Sequence, residues 1–312
     1  MKAWVDAWQD ALYGPRGFYR SPAGPSAHFT TATHGAGGCV LAGAVLRLAD
    51  EHGLTHVVDV GAGRGELLQH LCAARPALRL TGLDVVARPD DLAGPVEWLT
   101  SPGGAQLPEE LCGLDRALVL AHEWLDVVPC PVAQVDDDGR LVLRLVDPGT
   151  GTESWGPPVS GEELAWVGRH WFTTTPGDRV EIGTTRDAAW ADLVARVHRG
   201  VVVGVDYGHT GGDRPRGGSL AAYRDGHRVD PVPDGTCDLT AHVAMDTLDH
   251  DDLLDQRTAL HGLGVDGRTP PHSLARTDPQ AYLRALETSS AAAALTDPGG
   301  FGGFLWAVKV VG

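Results

Sequence analysis

A glycine-rich turn is the first feature of the sequence that could do chemistry. The turn, GAGRG at residues 61–65, follows a short β-branched run at 56–60 and opens a segment with leucines at helical spacing. Glycines let backbone N–H groups and the helix N-terminus approach a ligand closely. A dinucleotide-binding turn has a small residue where this chain has Glu66, whose carboxylate would repel a pyrophosphate. The spacing therefore favours a cofactor without phosphate, such as S-adenosylmethionine (SAM), which leaves S-adenosylhomocysteine as product.

A single acid at the end of the next predicted strand supports the same cofactor. Asp84 follows Gly65 by 19 residues, where a carboxylate can accept hydrogen bonds from both hydroxyls of a ribose. An NAD(P)-dependent oxidoreductase and a turn that merely packs helix on strand are the alternatives. The residues predicted to bind the cofactor follow three neighbouring strands and are Asp59, Gly61, Ala62, Gly63, Gly65, Asp84, Val85 and Thr100.

A second polar group follows a later strand, in the sequence HEWLDVVP at 122–129. Its carboxylates, Glu123 and Asp126, are three residues apart and could share one face of a turn. Paired carboxylates can clasp a guanidinium, because arginine favours bidentate partners. The alternative is that Asp126 caps a turn and Glu123 is a surface acid. Tyr207 follows the fifth predicted strand, also at the edge where open α/β sheets bind ligands.

These side chains need a parallel sheet to bring them together. Apolar, β-branched runs at 56–60, 78–86, 96–100, 117–126 and 201–208 alternate with helical patterns, which predicts an α/β fold with helices on both faces of the sheet. Residues 132–146 form a predicted hairpin about an Asp-Asp-Gly turn, placed at the rim of this sheet. The closing run at 304–311 is predicted to be its last, edge strand.

Composition restricts the kind of partner. The chain has 312 residues, 43% of them apolar, and a net charge of −16, which disfavours disorder, nucleic acid and an anionic membrane surface. Five cysteines without a C-x-x-C pair support neither a disulfide framework nor a metal site. No apolar run is long enough for a membrane span, so a reduced, cytoplasmic protein is expected. The oligomeric state is left open.

The N-terminal segment has a character of its own. An amphipathic helix with Trp4, Val5, Trp8 and Leu12 on one face precedes an irregular run, rich in Gly, Pro, Thr and His, that reaches about residue 40. This segment is predicted to fold over the site as a lid, the alternative being a helix that simply covers the sheet. The predicted organisation is an N-terminal helical or lid segment at 1–55 and a SAM-binding domain at 56–312, with an insertion around 131–186.

Several motifs resemble the MidA-like family of SAM-dependent methyltransferases, whose mitochondrial members assist respiratory complex I assembly. The resemblance runs nearly end to end and is carried by ALYGPRGFYR, AHFTTATHGAGG, VVDVGAGRGELL, LAHEWLDVVP, VVVGVDYGHT, GSLAAYRDGHRVDPVPDGTCDLTAHV and LTDPGGFGGFLWAVKV. The long motif at 218–243 is the most specific. The resemblance implies a Rossmann-like, seven-stranded methyltransferase sheet with additions over the active site, and methyl transfer to a protein arginine.

Two histidines depart from the family pattern. His28 stands where the family has an aspartate, and His122 where it has an asparagine. Histidine can act as a general base near neutral pH, which slightly favours a hydroxyl, carboxyl or amine acceptor over arginine. The acceptor is thus predicted to be a peptide or protein side chain or a small molecule, methylated on nitrogen or oxygen, and a catalytically silent assembly protein is the alternative. The predicted catalytic residues are His28, His122, Glu123, Asp126 and Tyr207.

Overall fold

The computed structural model describes residues 1–21, 33, 35–92 and 94–312. The predicted catalytic residue His28 lies outside these described residues, as do the other residues of 22–32 and residue 34 in the irregular run of the predicted lid. The α-helices within the described residues are α1 (Trp4–Tyr13), α2 (Gly35–Glu51), α3 (Glu66–Ala74), α4 (Gly161–His170), α5 (Thr184–Ala195), α6 (Gln256–Gly262), α7 (His272–Thr277) and α8 (Pro279–Leu295).

The strands form one large sheet and three smaller ones. In chain order they are β1 (Lys2–Ala3), β2 (His56–Val60), β3 (Arg79–Asp84), β4 (Val96–Thr100), β5 (Leu114–His122), β6 (Val132–Val135), β7 (Leu141–Val146), β8 (Glu153–Pro158), β9 (Arg179–Glu181), β10 (Val197–Asp206), β11 (Gly208–His209), β12 (Ala221–Arg224), β13 (His227–Val229), β14 (Asp238–Thr240), β15 (Val243–Ala244), β16 (Asp252–Asp255) and β17 (Leu305–Val311).

The large sheet carries the site. Its order is β16-β17-β10-β5-β2-β3-β4; the five strands from β10 to β4 are parallel to one another, and β17 is antiparallel to β10. Every residue of β2 is buried, because both faces of the sheet are covered. Chain order reverses between β2 and β5, which opens a crevice at the carboxyl ends of these strands. The predicted α/β class is confirmed.

Two predicted placements are wrong. The closing strand β17 is not at the edge, because the short strand β16 pairs with its outer side. The predicted hairpin forms as β6 and β7, but it belongs to a separate five-stranded sheet with β1, β8 and β9 rather than to the rim of the large sheet. Part of that hairpin, Ala133, Leu141 and Leu143, packs with Trp166 and Val167 of α4. Val132 and Val146 pack with Trp4 of α1 instead.

Helix α1 is anchored to the smaller sheets. Trp4, Trp8 and Leu12 are fully buried, as their helical spacing predicts. The Trp8 indole N–H donates to the carbonyl of Leu239 in β14 at 3.0 Å, and the Trp4 indole N–H donates to Glu153 at the start of β8 at 2.6 Å. The C-terminal end of α1 is thereby held beside the crevice of the large sheet. That the segment acts as a lid stays a prediction.

Among the residues that the structure describes, none of the helices combines the length and the apolar composition that a membrane span requires.

Candidate active site

A cavity of about 810 Å³ lies at the carboxyl ends of β2, β3, β5 and β10. Its floor is the large sheet and the turns that follow these strands. Its opposite wall comes from the end of α1, the residues after it, and the three-stranded sheet of β12, β13 and β14. Of the predicted site residues, those that line the cavity are Asp59, Gly61, Ala62, Gly63, Asp84, Val85, His122, Glu123, Asp126 and Tyr207.

The glycine turn forms one end of the cavity. Gly61 and Gly63 have φ angles of +75° and +59°, in the left-handed region that favours glycine. A Cβ built on Gly63 would have a Glu66 carboxylate oxygen at 3.4 Å as its nearest described neighbour, so the space over this backbone belongs to the cavity. Gly65 does not line the cavity. A Cβ there would lie 2.7 Å from Leu92, so Gly65 permits packing of the turn instead.

Two carboxyls flank the turn, the buried one of Asp59 and the half-buried one of Asp84. Asp84 accepts a hydrogen bond from the Gly63 N–H at 2.8 Å, and burial raises its pKa to about 6. Burial, together with the nearby charges of Asp84 and Glu66, raises the pKa of Asp59 to about 8. Thr100 is exposed and lies outside the cavity lining, whereas its neighbour Ser101 lines it.

The pair His122 and Glu123 ends β5 at the other side of the cavity. Glu123 has a φ of +53°, unusual for a residue other than glycine, and its N–H donates to the carbonyl of Val205 at 2.8 Å. Its Oε1 lies 3.3 Å from Nδ1 of His122. Neither Glu123 Oε1 nor His122 Nε2, both buried atoms, has a hydrogen-bond partner among the described residues. Both residues line the cavity, and buried polar atoms without partners are unusual enough to indicate a ligand or a bound water.

Only one of the two carboxylate oxygens of Asp126 has hydrogen-bond partners among the described residues. Its Oδ2 accepts hydrogen bonds from the hydroxyls of Tyr207 and Thr240, the latter at 2.6 Å. Its Oδ1 is buried and has no hydrogen-bond partner in the described parts of the chain. Burial raises the pKa of this carboxyl, and the charge of Glu123 raises it further, although the two hydroxyls oppose the shift. Tyr207 therefore acts here as a support for Asp126.

Two buried charged residues shape the turn between Glu123 and Asp126: Asp206, which the sequence places at the same sheet edge as a weaker candidate, and Arg186, which the sequence analysis did not single out. Asp206 at the end of β10 accepts hydrogen bonds from the N–H groups of Leu125 and Asp126, at 3.0 and 3.1 Å. Arg186 of α5 donates to the carbonyl of Asp126 and to three other carbonyls, those of Val128, Ala241 and His242. A signal was available, since Arg186 lies on the apolar stripe of its helix, four residues before Trp190.

The sequence also did not predict the residues that form the cavity wall opposite the large sheet. Tyr13 and Tyr19 line the cavity from the N-terminal side, and Tyr223 and Asp238 line it from the three-stranded sheet. The Tyr19 hydroxyl donates to Asp238 at 2.7 Å. Burial raises the pKa of Asp238 to about 8, the Tyr19 hydrogen bond lowers it, and the charges of Asp126 and Glu123 raise it again. No periodic pattern brings these residues together in the sequence, because their strands have only three or four residues.

Comparison with known proteins identifies the class. Residues 69–263 match a family model described as "Putative S-adenosyl-L-methionine-dependent methyltransferase", which is more than half of the chain. No curated protein matches the chain.

Two solved structures have the same fold. A COG1565 superfamily member from Burkholderia thailandensis, crystallised with S-adenosyl-homocysteine, has a TM-score of 0.74 at 23% identity over 98% of this chain and 87% of the other. A native COG1565 structure from the same organism has a TM-score of 0.74 at 21% identity over 99% of this chain and 87% of the other.

The chain belongs to this family of SAM-dependent methyltransferases, as the motifs of the MidA-like family predict. Its cofactor is SAM, and S-adenosylhomocysteine is the product. The cavity is compatible with that cofactor, because the open backbone of Gly63 and the half-buried carboxyl of Asp84 line the same space. The predictions of an enzyme and of its cofactor are confirmed.

Proposed function

We propose that this methyltransferase modifies a cationic nitrogen, with a guanidinium as the best fit. The observation that carries the proposal is a pair of buried carboxylate oxygens, Oε1 of Glu123 and Oδ1 of Asp126, that have no hydrogen-bond partner among the described residues. Both residues line the same cavity, and Glu123 Oε1 has only the imidazole Nδ1 of His122 nearby, at 3.3 Å. Leaving such atoms unpaired costs free energy, and a ligand with N–H donors on two nitrogens satisfies both. Arginine side chains have this geometry.

The cofactor is held at the opposite end of the cavity in this proposal. The backbone of Gly61 and Gly63 lies along it, and Asp84 accepts hydrogen bonds from its ribose. Ala62 and Val85 contribute apolar contacts, and the carboxyl of Asp59 faces the same space. SAM supplies an electrophilic methyl group, so the chain needs to align an acceptor nitrogen with it and exclude water.

Glu123 and Asp126 have different parts in this alignment. Asp126 is fixed by Tyr207 and Thr240, so its free Oδ1 gives the acceptor a rigid reference point. Glu123 holds the second nitrogen, and its Oε1 can take the proton that the nitrogen loses when it gains a methyl group. The adjacent Nδ1 of His122, at 3.3 Å, is placed to share that proton.

Replacing Glu123 tests the proposal. With Nα-acetyl-arginine amide as acceptor, Glu123→Gln removes one charge from a charge-assisted pair worth about 1.5 to 3 kcal/mol, which corresponds to a rate lower by about 10- to 150-fold. Affinity for S-adenosylhomocysteine is expected to change by less than about threefold. Glu162→Gln, at an exposed position of α4, is the matched control. Unchanged kcat/KM in Glu123→Gln would contradict the proposal.

A second candidate acceptor is a hydroxyl group with His122 as general base. It is favoured by the unpartnered, buried Nε2 of that ring. In that case His122→Ala would lower the rate of O-methylation by about 100- to 10,000-fold. The cationic acceptor instead predicts a His122→Ala loss of less than about tenfold.

A further inference from the structure

One wall of the cavity is the face of a small sheet. In the three-stranded sheet, Tyr223 of β12 is directly opposite Asp238 of β14. Both side chains line the cavity, as does that of Thr240, two residues beyond Asp238 on the same strand. Alternate residues of a strand share a face, so the three side chains belong to one surface.

Asp238 lies two residues along β14 from Thr240, which contacts the proposed acceptor site. Thr240 contacts Asp126 Oδ2 at 2.6 Å, which fixes that end of β14 at the acceptor carboxylates. Two residues of a β-strand span about 7 Å, so Asp238 lies about that far along the wall. There the Tyr19 hydroxyl donates to Oδ1 of Asp238, and the ring of Tyr19 is 5.6 Å from that of Tyr13.

Charge around the cavity is unbalanced. Six carboxyl residues line it, against two arginines, Arg20 and Arg64; the six are Asp59, Glu66, Asp84, Glu123, Asp126 and Asp238. A single guanidinium at Glu123 and Asp126 leaves Asp238, once it is ionised, without a matching cation among the residues that line this cavity. A carboxylate beside aromatic rings is an environment that attracts cations, because the ring faces also carry negative charge.

We propose that Asp238, with Tyr19 and Tyr223, forms a second cation subsite, and that the acceptor therefore carries two cationic groups about 7 Å apart. This inference rests on the proposed function, since the first cation is the one held by Glu123 and Asp126. It specifies the acceptor class further: a guanidinium or amine with a second cationic nitrogen about six bonds away.

Two small guanidines test this subsite. Agmatine has a guanidinium and an ammonium separated by four methylene groups, and pentylguanidine has the same length with a methyl group in place of the ammonium. Calorimetry at a pH of about 9, where Asp238 is ionised and both probes keep their cations, is done on protein saturated with S-adenosylhomocysteine. It is expected to give a Kd for agmatine at least about tenfold lower than that for pentylguanidine, since a charge-assisted contact is worth about 1.5 to 3 kcal/mol.

The variant Asp238→Asn is expected to abolish that preference while leaving the Kd of pentylguanidine within about twofold. Asparagine keeps an oxygen that can accept from Tyr19, so the wall is expected to keep its structure. Asp234→Asn is the matched control and should retain the preference for agmatine. Asp234 lies on the neighbouring loop, where its carboxylate accepts a hydrogen bond from the Thr236 N–H at 2.9 Å, and it does not line the cavity.

Three results would overturn the inference. Equal Kd values for the two guanidines in the wild type would show no second subsite, with the cationic acceptor left intact. A loss of S-adenosylhomocysteine binding in a folded Asp238→Asn protein would assign Asp238 to the cofactor instead. If neither guanidine binds, the cationic acceptor itself is wrong, and the second subsite fails with it.

Discussion

Gly63 is the residue on which cofactor binding depends most directly. Gly63→Val is expected to weaken S-adenosylhomocysteine binding by more than about 100-fold, because the new side chain projects into the space where the cofactor would lie. Calorimetry measures the affinity, and circular dichroism checks the fold. Gly113→Val is a matched control for backbone strain: its φ is +60°, close to the +59° of Gly63, and nothing lies within 4 Å of its Cβ. Equal binding by Gly63→Val and the wild type would contradict the proposed cofactor position.

Single residues at strand ends were predictable because the carboxyl ends of parallel strands meet at one edge. This rule predicts that Gly63, Asp84, Glu123 and Asp126 lie together, and all four line one cavity. At the end of β4 the prediction is wrong by one residue, because Ser101 lines the cavity and the predicted Thr100 does not. A sequence pattern does not show where the last hydrogen-bonded residue of a strand ends and the turn begins.

Helix α5 supports the acceptor site through Arg186. This buried side chain donates to four carbonyls from two chain segments, one containing Asp126 and the other His242. Arg186→Met is expected to destabilise the protein by about 3 kcal/mol, because the carbonyls lose their donors inside the protein. Differential scanning calorimetry should show a Tm lower by about 6 to 12 °C. The exposed Arg140→Met is the control, and an unchanged Tm in Arg186→Met would contradict this structural role.

Long elements were predictable and short ones were not. The parallel strands of the large sheet have apolar, β-branched runs of five residues or more, and their positions follow from that pattern. The wall strands β12, β13 and β14 have three or four residues, with polar and apolar side chains mixed. Their positions depend on tertiary contacts with α1, so the half of the site that they build could not be derived from periodicity.

The buried carboxyl of Asp59 makes the stability of the whole molecule depend on pH. A carboxyl whose pKa is raised to about 8 on folding binds its proton more tightly in the folded state. It therefore contributes stability at low pH that is lost as the pH rises through about 8. Burial lowers the pKa values of His56 and His209 to about 4 and about 3. Well above a pH of about 6.5 both imidazoles are neutral in the folded and in the unfolded chain, so they add no further change to the free energy of unfolding.

Between pH 6.5 and 8.5 the free protein is thus expected to lose on the order of 1 to 2 kcal/mol of unfolding free energy through Asp59, and Asp238, whose pKa is also raised to about 8, adds a loss of the same sign. Urea titrations at the two pH values measure the change. Asp59→Asn should reduce it, because asparagine does not titrate, whereas the exposed Asp137→Asn should leave it as in the wild type. A stability that rises over this range, or an Asp59→Asn profile identical to that of the wild type, would refute the assignment.

The chemical nature of the methyl acceptor decides what the molecule as a whole does. The most direct test offers the protein Nα-acetyl-arginine amide and N-acetyl-tyrosine amide together, with SAM labelled at the methyl group. The two probes share a neutral backbone and differ only in the side chain. Mass spectrometry is expected to find the label on a guanidinium nitrogen, with the tyrosine probe unchanged. Label on the phenolic oxygen, with the arginine probe unmodified, would contradict the cationic acceptor and assign the site to His122 as a base.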